Sequence, residues 1–272
     1  MYSAIIIPAR FGSTRFPGKP LHMIAGKTLL QRVCDVAAEA ARGLDNVQVC
    51  VATDDERILA HAQALGVKAV MTPEHCPTGT DRVLHASLQL DPIPDFVVNL
   101  QGDAPLTPPS ILRALLLSAK DADPDVAVFT PAVRLSWQEL DQFRHNKIKT
   151  PFSGTTVVMN DKNDAFWFSK NIIPAIRQEE KWREKEQHSP VYQHLGVYAY
   201  FREALTKYVT WSETLYERCE GLEQLRWLMH GYRIRVVPVE LPRGTSLSGV
   251  DTLEDARRVE NFLNENASEN KD

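Results

Sequence analysis

The chain has 272 residues, 43% hydrophobic and 24% charged, and carries a net charge of -4 from 31 basic and 35 acidic side chains. That is the make-up of a globular enzyme, long enough for one large domain or one domain with an appended lobe. The acidic balance excludes a global basic field for nucleic acid, and no apolar run reaches the roughly 18 residues that a membrane-spanning helix needs.

The first half alternates strand and helix signals. Residues 3–8 read as a buried strand, ended by Pro8. Residues 28–42 read as a helix with Leu29, Leu30, Val33, Val36, Ala37 and Ala40 on one face and Gly43 as its stop. "VQVCVAT" (47–53) is a second strand, and Asp54 and Asp55 open a helix that closes near Gly66. "VKAVMT" is a third strand, "TGTDRVLHASLQL" a loop feeding a helix, and "DFVVNLQGD" (95–103) a fourth strand with a polar end. "PPSILRALLLSA" is a helix with prolines in its first turn, and "DVAVFTPAV" is a further strand. This rhythm predicts an α/β fold with a doubly wound, mostly parallel sheet. Ligands in such sheets bind beyond the carboxyl ends of the strands.

The rhythm breaks after about residue 134, where aromatic strands mix with a charged stretch at 177–188 that reads as an exposed, solvated loop. We expect a smaller α+β lobe over 135–200, with 1–134 and 201–262 forming the α/β core. "CEGLEQLRWLMHGY" reads as one helix, "RIRVVPVEL" as a last strand, and "DTLEDARRVENFLN" as a C-terminal helix capped by Asp251 or Thr252. Residues 263–272 read as a flexible polar tail. The four cysteines (Cys34, Cys50, Cys76, Cys219) make no CxxC pair, which suits a reduced, cytoplasmic compartment. The apolar run Ala4–Ile7 is too short for a signal peptide, and the eight histidines have no zinc-binding spacing.

The first strand runs into "PARFGSTRFPGKPL", where Arg10, Arg15 and Lys19 stand among Gly12, Ser13, Thr14 and Gly18. Five residues separate Gly12 from Gly18-Lys19 and Pro20 follows, so this is not a Walker A loop; nor is it GxGxxG. The physics of phosphate binding is nonetheless present: small residues admit backbone N–H groups to an anion, and three cations supply charge-assisted donors. Scattered surface cations are the plainer reading. "NLQGDAP" (99–105) puts Asp103 at a strand end, where a carboxylate can hold Mg²⁺ against a polyphosphate or simply close a turn. Asp251 is equally a metal ligand or a helix cap. "TGTDR" offers hydroxyls and a glycine N–H at a helix start, good for a base or ribose and equally good as a capping box. His194 and Tyr198 share a face of one predicted strand, and Glu223 and Gln224 adjoin on a predicted helix. A core histidine and tyrosine and an ordinary helical pair are the alternatives.

The ordered set "IIPARFGSTRFPGKPL", "VATDDERI", "TGTDR", "NLQGDAP", "FWFSKNIIP", "HLGVYAY", "LEQLRWL" and "GVDTLEDARRV" resembles the 3-deoxy-manno-octulosonate (Kdo) cytidylyltransferases, from residue 3 to about 262. The resemblance implies the nucleotide-diphospho-sugar transferase type of sheet, a homodimer, and synthesis of CMP-Kdo and pyrophosphate from CTP and Kdo with Mg²⁺, for lipopolysaccharide or capsule. It implies that Ala9, Arg10, Ser13 and Lys19 bind CTP, with Arg10, Lys19 and Asp103 acting on the phosphates. Thr78, Gly79 and Thr80 would read the cytosine and ribose, and Asp103 and Asp251 would hold the metal. Arg15, Gln101, His194, Tyr198, Glu223 and Gln224 would receive the sugar acid. Three positions depart from the family pattern: Ala104 replaces the Glu of QGDEP, Lys170 replaces an Arg, and Thr155 and Thr156 stand where a strand lysine is usual, with Lys147 or Lys149 nearby in sequence. These departures leave room for a paralogue acting on a modified ulosonic acid such as 8-amino-Kdo, or for a silent nucleotide-binding relative.

Overall fold

The computed structural model describes residues 1–12, 16–120, 122–241 and 249–269, with side chains as far as residue 265. The chain forms two compact units, residues 1–113 with 243–272, and residues 114–242.

In the first unit β1 (Ser3–Ala9) leads, through a short pairing of β2 (Met23–Ile24) with β3 (Lys27–Thr28), into α1 (Leu29–Ala41). There follow β4 (Val47–Thr53), α2 (Glu56–Ala64), β5 (Lys68–Met71), α3 (Gly79–Ser87) and β6 (Phe96–Asn99). All pairings among β5, β4, β1 and β6, in that order across the sheet, are parallel. Ala4, Ile5, Ile6 and Ile7 of β1 are fully buried, so both faces of the strand are covered, as a central parallel strand requires. Helix α1 buries Leu29, Leu30, Val33, Cys34, Ala37 and Ala40; Cys34 rather than Val36 completes the face. Thr28 caps it by accepting the Gln31 N–H at 3.1 Å.

Helix α4 (Pro109–Ser118) leads on to β7 (Val126–Ser136), which continues straight through the change of rhythm near residue 134. The second unit then runs α5 (Trp137–Lys149), β8 (Thr155–Met159), β9 (Ala165–Ser169), α6 (Glu179–Lys185), β10 (His188–His194), β11 (Tyr198–Phe201), α7 (Arg202–Tyr208), α8 (Leu215–Glu220), α9 (Gln224–Met229) and β12 (Arg233–Pro238). Its sheet is mixed: β7 pairs antiparallel with β11 and β10 and parallel with β12, while β8 joins β10 to β9 in antiparallel pairs. Residues 201–242 pack within this unit. Helix α10 (Leu253–Glu269) belongs to the first unit.

Three local expectations change. The charged stretch at 177–188 contains a helix, α6, rather than a loop. Residues 219–232 do not form one helix: Gly221, at φ 64°, ends α8 in the left-handed conformation, and α9 starts afresh. The C-terminal helix continues past residue 263 to Glu269.

Candidate active site

The carboxyl ends of β1 and β6, the start of α3 and the approach to α10 enclose a cleft of about 320 Å³ in the first unit. From the β1 side come Pro8, Ala9 and Arg10, with Lys19 and Pro20 farther along the loop. The described ends of that loop are tied together: Gly18 donates to Phe11 O at 3.1 Å and Lys19 to Phe16 O at 3.2 Å. Ser13 and Arg15 lie outside the described residues.

From β6 come Gln101, Gly102 and Asp103. At Gly102 a Cβ would stand 2.5 Å from the Pro8 carbonyl oxygen, so only glycine lets the two strand ends approach this closely. Ala104 closes the turn through its N–H, 3.1 Å from Gln101 O, a role that asks nothing of its side chain.

Asp251 reaches the same cleft because Val250 donates its N–H to Asp103 O at 2.8 Å. The cap of α10 is Thr252, whose hydroxyl accepts the Asp255 N–H while the Asp255 carboxylate accepts from Thr252 in return. The Asp251 carboxylate is thereby left for the cleft. The Lys19 ammonium lies 2.8 Å from Asp103 Oδ2 and 3.4 Å from Asp251 Oδ1, so the two carboxylates converge on one cationic point. The same division of labour occurs after β4, where Asp55 caps α2 and Asp54 pairs with Arg82 at 2.6 Å.

Arg82 lines the cleft although its residue is only 4% exposed. It also donates to Thr72 Oγ1. Sequence reading passed over it; its signal was its place in the first turn after "TGTD", opposite the Asp54 that the cap of α2 leaves over. Thr78 forms a full capping box with Asp81, so its hydroxyl serves α3. Thr78 and Gly79 line the cleft, whereas Thr80 is buried in the helix and is not among the lining residues.

The other candidates lie in the second unit. His194 Nε2 is 2.8 Å from Thr130 Oγ1, whose own hydrogen goes to Val197 O at the same distance. The imidazole is therefore the donor at Nε2, and Nδ1 is left as an acceptor. Burial, helped by the Lys170 ammonium, pushes the His194 pKa down to about 3, so the ring is neutral at pH 7. Its ring centroid is 5.5 Å from that of Tyr198. Tyr198 donates its hydroxyl to Gln224 Oε1 at 2.8 Å, and burial drives its own pKa well up. The buried Gln224 Nε2 has no hydrogen-bond partner among the described residues, a donor free for a ligand. Glu223 is exposed, and its carboxylate takes a long contact from the Tyr208 hydroxyl, 3.4 Å.

A parallel sheet whose strand ends gather cations, close-approach glycine and converging carboxylates defines a nucleotide-handling transferase. Residues 4–234 match the model of the cytidylyltransferase family. The chain belongs to that family, and within it to the 3-deoxy-manno-octulosonate cytidylyltransferases. It is 45% identical over 258 residues to the 3-deoxy-manno-octulosonate cytidylyltransferase of Maricaulis maris, covering 95% of each chain. It is 40% identical to that of Bacteroides thetaiotaomicron, covering 95% of this chain and 96% of the relative. The solved structure of CMP:2-keto-3-deoxy-manno-octonic acid synthetase complexed with CTP superposes with a TM-score of 0.81 at 34% identity, covering 98% of this chain and all of the other. A 4-diphosphocytidyl-2C-methyl-D-erythritol synthase from Anaerococcus prevotii, 12% identical with a TM-score of 0.58, shares the fold. The chain is a nucleotidyltransferase.

Proposed function

We propose that the chain couples CTP and Kdo to CMP-Kdo and pyrophosphate. The observation that carries this reading is the convergence of Lys19, Asp103 and Asp251 in a cleft that Arg10 also lines. The anomeric hydroxyl of the sugar acid attacks the α-phosphorus in line. Its oxygen forms the new P–O bond, its proton passes to water, and the bond to the β-phosphate oxygen breaks to release pyrophosphate. Arg10 and Lys19 neutralise charge on the departing phosphates as it develops. Asp103 and Asp251 suit Mg²⁺: both are hard oxygen donors and they already share a cation, the Lys19 ammonium. The remaining positions would fall to phosphate oxygens and water. Bound there, the ion would offset triphosphate charge and polarise the α-phosphate. The neutral His194 and the Gln224 amide offer an acceptor and a donor to the hydroxyls of the sugar acid. The enzyme works in the cytoplasm as a homodimer, and its product serves lipopolysaccharide or capsule synthesis.

Intact Lys19, Asp103 and Asp251 disfavour a silent nucleotide-binding relative. The test is Asp103→Asn. Steady-state pyrophosphate release from CTP and Kdo should fall by roughly 100-fold or more, as for other charge-stabilising groups at a reacting phosphate. Turnover within a few-fold of wild type would remove Asp103 from the reaction.

A further inference from the structure

The segment that follows β9 is held more firmly than a surface turn requires. Glu220, at the end of α8, accepts the Ser169 hydroxyl at 2.9 Å and the Lys170 N–H at 2.7 Å. On the other side of the same residue, the Lys147 ammonium donates to Lys170 O at 2.5 Å. Lys147 also reaches Ser153 O, Pro151 O and Gly154 O, at 2.7, 3.1 and 3.2 Å, and its ammonium stands 4.9 Å from the Phe143 ring centroid. Thr156 continues the truss, donating to Asn171 O at 2.7 Å and accepting the Ile173 N–H at 3.1 Å. Both peptide groups of Lys170 are thus gripped by ionised side chains, from α5 and from α8.

The Lys170 side chain is the exception. Its ammonium makes no hydrogen bond or close ion pair with any described residue; it is half-buried, feels the Glu220 carboxylate at longer range, and is close enough to bear on His194. The Glu220 carboxylate acts on that charge only from a distance, its oxygens being taken by the Ser169 hydroxyl and the Lys170 N–H, and a half-buried cation so placed is costly unless a further anion arrives. A lysine also lacks the planar fork that pre-organises an arginine for a carboxylate, and its flexible stem loses entropy on binding. Fixing the backbone at the root of that stem lowers what remains to be ordered.

We infer that Lys147 and Glu220 are positioning residues: they clamp the backbone of Lys170 so that its ammonium is presented to the carboxylate of the sugar acid. This rests on the proposed function, because it takes a sugar acid as the anion that Lys170 receives. Lys147, not the exposed Lys149, does this work, and it does so from a helix rather than from the strand that Thr156 occupies.

The test compares Lys147→Met, Lys147→Arg, Lys170→Ala and the double variant Lys147→Met/Lys170→Ala in full-length enzyme, with KM for Kdo, KM for CTP and kcat measured separately. Lys147→Met should raise KM for Kdo about tenfold while kcat and KM for CTP stay within about twofold, a split that a general loss of structure would not produce. Lys147→Arg should recover part of the loss. Because Lys147 acts through Lys170, the double variant should be no worse than Lys170→Ala alone. If Lys147→Met does not fold, Glu220→Gln loosens the other end of the clamp and should show the same split. Multiplying defects in the double variant, equal rises in both KM values, or an unchanged KM for Kdo in a folded Lys147→Met would overturn the inference. Wild-type enzyme that releases no pyrophosphate with Kdo would instead overturn the proposed function. A wild type active on Kdo with an indifferent Lys170→Ala would overturn the clamp alone.

Discussion

Gly102 sits where no side chain fits. The atom that a Cβ would strike is a backbone oxygen of β1, which cannot rotate out of the way. Gly102→Ala should therefore push the two strand-end loops apart, costing about 1–3 kcal/mol of stability and raising KM for CTP. Urea unfolding together with CTP titration checks this, and an unchanged midpoint would contradict it. The glycine and its neighbour Asp103 were legible as a strand-end motif in the sequence. Arg82 was not, because an arginine early in a helix looks like any solvated cation until the fold buries it against Asp54 and Thr72. Nor was it legible which of two adjacent polar residues caps a helix and which faces the cleft; Asp55 and Thr252 do the capping and release Asp54 and Asp251.

Among the elements, α6 shows why charge runs mislead. Its first residue follows Gln178, which sits at φ 56° and supplies no capping side chain, so the sequence carries no start signal there. What holds the helix is tertiary: Glu179 takes both Arg144 nitrogens, at 2.7 and 2.8 Å, and also Arg183, which reaches on to Asp141. These partners, Arg144 foremost, hold the Glu179 carboxyl down to about 2. A depressed carboxylate stabilises the fold above its unfolded pKa, about 4.3, and that contribution is lost as pH falls through the folded value. Glu179→Gln should thus cost about 1–2 kcal/mol at pH 7, allowing for partial exposure of the arginines, and its deficit relative to wild type should shrink as pH drops from about 4.5 towards 2. Denaturant titrations across that range measure it; a deficit independent of pH would contradict the ion-pair account.

Across the molecule, legibility follows the kind of order present. In the first unit buried runs alternate with amphipathic helices, and the parallel order β5, β4, β1, β6 follows from crossover rules that a sequence obeys locally. In the second unit β7 serves β10, β11 and β12 at once, and these pairings join segments far apart in the chain that no local pattern announces. The nucleotide-side residues follow strand ends and were readable as motifs. The clamp on Lys170 brings together Lys147, Thr156 and Glu220 from three separate elements, and only the fold assembles it.

The central claim is that this cleft transfers CMP from CTP to Kdo, and pyrophosphate release tests it most directly. CTP, ATP, GTP and UTP are each incubated with Mg²⁺ and Kdo, with 8-amino-Kdo and without acceptor. Rapid release from CTP with Kdo, with little from the other nucleotides or without an acceptor, is the predicted result. Release only with the amino sugar, or CTP binding without release from any pair, would contradict the account.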